Sequence, residues 1–289
     1  MKGKLIYQPK GPAGEYAKWA VNLHNGCTHG CTYCYNRRGV LSHAFGNEVT
    51  LAAPIRKRAE KMLMEELENG ADITQADKWA AECVATKELL KEDFEKFKDT
   101  TLKQDGIFLS FTCDPLSDEC FHLTDQAILT CLDCKVPVTL LTKSVNFMSH
   151  IERHLMAWKE SLVEDLKKYI TIGFTITGMD EMEANAPSTT ERIEALRKVH
   201  EMGIRTFVSL EPVIDITRAV NVLQDCLSYS DEIRIGLQSP YKKDRYSRSD
   251  IIRLISIIQP MQTLYPNVNI VLKDSIYKQC EMFGITIQK

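Results

Sequence analysis

Nothing in the 289 residues approaches the roughly 20 consecutive apolar side chains of a membrane-spanning helix, so no membrane partner is expected. The opening residues, Met1-Lys2-Gly3-Lys4-Leu5-Ile6-Tyr7, lack the apolar centre of a secretion signal. An excess of charge of one sign is missing as well. Lysine and arginine number 36 against 39 aspartates and glutamates, a formal net charge of −3. No global field therefore draws the chain to nucleic acid, and only a local basic face could do so. What is present is an ordinary globular composition. With 44% hydrophobic and 26% charged residues, the chain can fill the core of one large domain or two modest ones.

The unusual stretch is Asn25-Gly26-Cys27-Thr28-His29-Gly30-Cys31-Thr32-Tyr33-Cys34-Tyr35-Asn36, which holds three of the ten cysteines at a C-x3-C-x2-C spacing. An odd trio so close together fits no disulfide scheme, because bridged residues need a particular Cα separation and Cβ orientation. Three thiolates from one glycine-flanked loop suit a metal or an iron–sulfur cluster, and three leave one iron of a cubane open. A Cys3His zinc site using His24 or His29 is the alternative. Structural zinc usually pairs two short chelating motifs, and no partner motif follows at the usual distance. Free thiolates require a reducing compartment, so a soluble cytoplasmic protein is expected.

The cysteine spacing, with Tyr33 immediately before Cys34, resembles the signature of the radical S-adenosylmethionine (SAM) enzymes. More narrowly, Gly26-Cys27 through Cys34-Tyr35, with its Cys31-Thr32-Tyr33-Cys34-Tyr35 run, is similar to the spore photoproduct lyase group. The resemblance implies a [4Fe–4S] cluster on Cys27, Cys31 and Cys34, with SAM chelating the fourth iron through its amino and carboxylate groups. It implies reductive cleavage of SAM to a 5′-deoxyadenosyl radical that abstracts a hydrogen atom from substrate. A flavodoxin- or ferredoxin-like external one-electron donor is implied with it.

In chain order, residues 8–18 are glycine- and proline-rich, and 1–18 are expected to form an irregular lead-in to a core spanning 19–289. Trp19–Leu23 is a run of strand length. Pro54 sits where a first-turn proline belongs, and Ile55, Ala59, Met62, Leu63 and Leu67 follow at helical spacing until Gly70. Residues 71–104 disperse Trp79, Cys83, Leu89, Leu90, Phe94 and Phe97 among many charges. They read as a helical insertion outside the core, either a substrate or partner surface or a plain cover helix. Strand-like runs then fall at Ile107–Phe111, Val136–Thr142, Ile170–Ile176, Arg205–Leu210, Ile233–Leu237 and Val268–Leu272. Their separations of roughly 28–35 residues leave room for crossover helices. Between them, Ser188-Thr189-Thr190-Glu191 is a capping box and Gly203 a stop. The runs are continuous in Val, Ile and Leu, as strands buried on both faces should be. The expected class is α/β. The count of six βα units matches the open (β/α)6 partial barrel that the resemblance implies.

In parallel βα architectures the chemistry sits at the C-terminal strand ends. The second strand ends in Ser110-Phe111-Thr112-Cys113-Asp114-Pro115, without the Gly-Gly-Glu that receives the SAM amino group in the superfamily. Backbone carbonyls here, with Thr112 and Asp114, are candidate acceptors; a structural turn is the other reading. The third ends in Lys143-Ser144, where a lysine at an apolar mouth needs an anion and the SAM carboxylate is a natural one. Thr175 and Thr177 share one face of the fourth, suited to ribose or carboxylate. Glu211 ends the fifth and must be paired, by ribose, substrate or Lys143. Leu237 and Gln238 end the sixth, where the family packs adenine, and Tyr33 is the expected adenine neighbour from the loop.

Cys113 lies two residues from the hydrogen-donating cysteine of the lyase group, and Tyr35 matches a tyrosine of its hydrogen relay. Both are the candidate catalytic residues; packing around the cluster is the other reading for the tyrosines. Cys113, Cys120, Cys131 and Cys134 also admit a second metal site, whereas Cys83, Cys226 and Cys280 read as small buried apolar groups. The substrate class that the resemblance suggests is a nucleic-acid lesion or modified base. Arg37, Arg38, Arg56, Lys57, Arg58, Lys242, Lys243, Arg245 and Arg248 are candidate phosphate contacts, though loop cations are usually solvated. Radical modification of a peptide or partner protein, and a cluster- or zinc-bearing binding module without turnover, are the remaining readings.

Overall fold

The computed structural model describes residues 4–38, 45–149, 151, 160–238 and 245–287, and these divide into two compact units. The first unit comprises residues 1–28, 46–140 and 146–170, and the second 29–45, 141–145 and 171–289. The fold is α/β, with a mostly parallel, open sheet.

In the first unit the strand order is β1 (Ile6–Tyr7), β2 (Ala20–Val21), β5 (Ile107–Leu109) and β6 (Val138–Thr142). β1 runs antiparallel to β2, and the β2–β5 and β5–β6 pairs are parallel. A separate two-stranded ladder joins β3 (His24–Asn25) to β4 (Thr50–Leu51). Helix α1 (Tyr35–Arg38), which belongs to the second unit, follows the cysteine loop, and in the first unit α2 (Ala53–Glu68) starts with proline in its first turn, as the spacing predicts. α3 (Gln75–Lys96) opens on a capping box between Thr74 and Asp77, and α4 (Leu102–Asp105) leads into β5.

Two contacts tie the lead-in and the 71–104 segment into the first unit. The lead-in is not wholly irregular, because Leu5 and Ile6 donate their backbone N–H groups to Asp93 Oδ2 at 2.8 and 3.0 Å. The 71–104 segment packs through one face of α3. Ala85, Leu89, Leu90 and Phe94 form a buried face of α3 that packs on α2 and α5 (Phe121–Cys134), and Asp93 on that face fixes β1. The dispersed charges hid a narrow apolar stripe whose anchor is itself an acid.

In the second unit the order is β7 (Ile170–Thr175, entered from α6, Glu160–Tyr169), β8 (Arg205–Val213), β9 (Glu232–Leu237) and β10 (Asn269–Leu272). All of its pairs are parallel. The crossovers are α7 (Thr189–Glu201), α8 (Ile216–Cys226) and α9 (Arg248–Leu264), and α10 (Asp274–Met282) follows β10. The predicted Ser188–Glu191 box caps α7, and Gly203, at φ +77°, takes the left-handed turn that ends it. Phe174, Phe207, Val208, Ile233 and Ile235 are buried, and each such side chain contributes roughly 1.5–3 kcal/mol. Gly173 exists to admit Phe207, whose ring would lie 2.0 Å from a Cβ there.

The parallel strands β2, β5, β6, β7, β8 and β9, with β10 beyond them, are the six units and further strand expected from the sequence. The sheet is open: among the described residues β1 pairs with β2 alone and β10 with β9 alone.

Candidate functional site

The cysteine loop begins where two glycines are obligatory. Gly26 has φ +101°, and a Cβ there would meet Glu48 O at 1.9 Å; Gly30 has φ +69°. In the first unit, Gly26 donates its N–H to Thr112 O at 3.0 Å and Cys27 donates to Gly46 O at 3.4 Å. In the second, Asn185 donates to His29 O at 3.0 Å, Thr32 to Met182 O at 2.9 Å and Cys34 to Cys31 O at 3.2 Å. None of Cys27, Cys31 and Cys34 is in a disulfide; Cys31 is buried and the other two are half-buried.

Tyr33 is the fixed point of this loop in the second unit. Its hydroxyl donates to Glu183 Oε1, which also accepts from Thr177 Oγ1 at 3.0 Å. The other oxygen of Glu183 is paired with Arg192, whose side chain is wholly buried. Arg192 also donates from Nη1 to Thr175 O at 2.7 Å and reaches Asp180 Oδ1 at 3.3 Å. Asp180 in turn holds Thr189 N and Oγ1 at 2.9 and 2.6 Å, which ties the network to the start of α7.

The half-buried Lys143 places its Nζ 5.5 Å from the centre of the Tyr33 ring. Burial pushes its ammonium down, but Tyr33, Cys31 and Glu183 together outweigh that and leave it raised. Burial raises Cys31, against the opposing pull of Lys143, and burial likewise raises Tyr33. Lys143 is thus held as a cation beside the cysteine loop. Glu183 and Arg192 were missed by the sequence reading. The one available signal was an acid and an arginine flanking the Ser188 capping box, which a surface helix start would show equally.

The other predicted residues fall into two groups. In the second unit, Ser144 is buried and donates its N–H to Thr142 Oγ1 at 2.8 Å. Thr175 and Thr177 are both buried, and Thr177, beyond the end of β7, donates to Glu183. Glu211 is paired with Lys273 at 2.7 Å, a partner not foreseen where Lys143 had been considered. Gly236 makes room for that pair, since its Cβ would lie 2.8 Å from the Glu211 carboxyl. Leu237 donates its N–H to Ser275 Oγ at 2.9 Å and Gln238 donates to Tyr246 Oη at 3.1 Å. Tyr35, 50% exposed, opens α1.

In the first unit, Thr112 Oγ1 donates to His24 O at 2.7 Å, and Asp114 Oδ1 accepts Leu116 N at 3.0 Å, so both shape the turn after β5. Cys113 and Cys120 lie together beside His24, the three ligand atoms within 4.8 Å of one another. The Cys113 thiol donates to Cys120, lowering Cys120 and raising Cys113 well above the ordinary thiol value. Of the four cysteines read as a second site, the structure gathers these two. Cys131 is buried within α5, where burial raises its thiol.

The candidate phosphate contacts are largely engaged. Arg58 meets Glu88 and Glu92 at 3.2 and 2.8 Å. Arg56 lies 4.0 Å from Glu60. Arg245 donates to Gln238 O and Arg248 to Phe283 O. Lys242 and Lys243 lie outside the described residues.

The donor set fits a [4Fe–4S] cluster: three cysteines outside any disulfide on a glycine-shaped loop, with Lys143 opposing the burial that raises the Cys31 thiol. Comparison with known proteins agrees. The chain is 24% identical over 208 residues to the uncharacterised protein MJ0683 of Methanocaldococcus jannaschii, covering 68% of this chain and 61% of that protein. It is 22% identical over 217 residues to the uncharacterised protein ORF301 of Acidianus two-tailed virus, covering 73% and 61%. The chain therefore spans about three-fifths of the length of these curated relatives. Among solved structures, a cysteine-to-serine mutant of spore photoproduct lyase matches with a TM-score of 0.63 at 11% identity, over 94% of this chain and 81% of that one. Spore photoproduct lyase complexed with dinucleoside spore photoproduct matches with a TM-score of 0.59 at 14% identity, over 92% and 80%. Residues 21–218, more than half of the chain, match the radical SAM superfamily. The chain belongs to the radical SAM superfamily, whose enzymes use a [4Fe–4S] cluster and SAM.

Proposed function

We propose that this chain is a radical SAM enzyme that abstracts a hydrogen atom from a base, or base lesion, of a nucleic acid. The observation that carries the radical chemistry is the C-x3-C-x2-C trio of Cys27, Cys31 and Cys34, none in a disulfide, inside the span that matches the superfamily. These three side chains would hold the cluster. Once bound and reduced by an external one-electron donor, the cluster and SAM supply the hydrogen-abstracting 5′-deoxyadenosyl radical.

The remaining work falls to the protein's own groups. The clamp of Tyr33 on Glu183 and Arg192 holds the loop in one geometry. Lys143 offers a half-buried cation to an anionic group such as the SAM carboxylate. Thr175, Glu211, Leu237 and Gln238, at the C-terminal ends of β7, β8 and β9, are the proposed contacts for ribose and adenine. Tyr35 is the proposed hydrogen relay. The nucleic-acid substrate class is supported by likeness to the fold of spore photoproduct lyase, one of whose structures holds a dinucleoside photoproduct.

The test is anaerobic reconstitution with iron and sulfide, then dithionite and SAM, with assay of 5′-deoxyadenosine. Production that disappears in Cys31→Ala is the expected result. A purified protein that holds zinc and accepts no iron cluster would overturn the reading. Binding to ultraviolet-irradiated oligonucleotides that weakens with rising salt tests the substrate class; binding indifferent to both irradiation and salt would remove it.

A further inference from the structure

The turn after β5 gathers a second set of metal-ligating side chains, entirely within the first unit. The ligand atoms of His24, Cys113 and Cys120 all lie within 4.8 Å of one another. His24 is 3% exposed, and its Nδ1 is buried with no hydrogen-bond partner. The Ser117 hydroxyl is buried beside Cys120 and hydrogen-bonds to its sulfur. Native interiors seldom leave such a polar atom unsatisfied, and a bound ion is one of the few explanations for it.

The three ligands come from three separately anchored pieces of backbone. His24 lies in β3, and its carbonyl is held by Thr112 Oγ1 at 2.7 Å. Cys113 follows Thr112 directly, in the turn that Asp114 closes on Leu116. Cys120 precedes α5, its N–H donating to Ser117 O at 3.0 Å. Behind His24, the His122 ring packs edge-on at 6.0 Å, with its Nε2 3.3 Å from Glu82 Oε2.

We propose that His24, Cys113 and Cys120 bind one zinc ion, in addition to the cluster held by Cys27, Cys31 and Cys34. A mixed nitrogen and thiolate donor set suits zinc. Tetrahedral bond lengths of about 2.0–2.3 Å place neighbouring ligand atoms about 3.3–3.8 Å apart, so the observed cluster closes onto an ion with small side-chain shifts. Two thiolates neutralise the ion's charge where water is scarce. Three protein ligands leave a fourth position for a solvent molecule, the pattern of an open rather than a closed zinc site. The assignment makes Cys113 a metal ligand and withdraws it from the role of hydrogen donor.

The test uses the full chain, first as the reconstituted holoprotein. One equivalent of zinc beside the iron is expected, with zinc-edge absorption reporting two sulfur neighbours. A Cys27→Ala, Cys31→Ala, Cys34→Ala variant, which removes the loop thiols, should then bind one equivalent of cobalt(II). The expected spectrum has thiolate charge-transfer and tetrahedral ligand-field bands, and zinc should displace the cobalt. Adding Cys120→Ser should abolish those bands and the rise in melting temperature produced by zinc, whereas adding Cys131→Ser should preserve both. Three results would each overturn the proposal: no zinc beyond background in the holoprotein, cobalt bands that survive Cys120→Ser, or a Cys113–Cys120 disulfide in anaerobically purified protein. Should the triple variant fail to fold, zinc stoichiometry and edge spectra of the Cys120→Ser holoprotein decide the question alone.

Discussion

Tyr33 and Glu183, 150 residues apart in the chain, are joined by a hydrogen bond whose acceptor carboxylate is also the buried counter-charge of Arg192. A residue of the cysteine loop is thereby fastened to the helix start at Ser188 through one acid. Removing that acid strands a charge as well as a contact.

Glu183→Gln should therefore destabilise the protein by about 3–5 kcal/mol, the range for breaking one partner of a buried pair. Thermal or denaturant unfolding measures it. Replacing both partners by Leu should cost less than Glu183→Gln alone, because no uncompensated charge remains. Glu181→Gln removes the exposed pair with Arg218 and should leave the unfolding midpoint unchanged. If Glu183→Gln were as mild as Glu181→Gln, the clamp would have no structural weight.

Asp93→Ala frees two backbone donors, those of Leu5 and Ile6, and should cost about 3 kcal/mol, since each buried unsatisfied group costs about 1–3. Hydrogen exchange should show early loss of protection at Leu5 and Ile6. Protection equal to wild type would mean the helix does not hold the strand.

Stability should fall in alkali. Cys131 and Cys226 are fully buried, and burial raises both thiols, Cys226 to about 12 from 9.0. Below pH 9 each is protonated folded and unfolded, and neither contributes a pH dependence. Above it the unfolded chain releases protons that the folded chain keeps, so stability is lost toward pH 12 at about 1.4 kcal/mol per unit for each thiol. The double variant Cys131→Ala, Cys226→Ala should lose melting temperature less steeply between pH 9 and 11. Parallel curves would show that other groups govern the alkaline limb.

What was legible in the sequence follows from how local each signal is. The Ser188 box, the Gly203 stop, the first-turn proline of α2 and the buried strands are written in neighbouring residues, and the structure has them within a few positions. The C-x3-C-x2-C loop was equally local. Strand β8 runs on to Val213, past the expected end at Leu210, because its register shifts against β9 between Leu210 and Val213, which no local pattern announces. The partners of Tyr33 and Glu211 were illegible for a different reason. Glu183, Arg192 and Lys273 are charged residues in ordinary surroundings, and only the packed chain reveals that they are buried. His24 was read beside Cys27 because it is close in sequence, yet its ring keeps company with Cys113 and Cys120.

An open sheet has two rims, and a rim strand with free N–H groups invites another chain to add itself as the next strand. On the β1 rim the described donors of Leu5 and Ile6 are already given to a carboxylate inside the same unit. Asp93 thus acts as a stopper, closing that border to neighbours while it braces the strand, and a variant lacking it would gain a sticky border along with its lost stability.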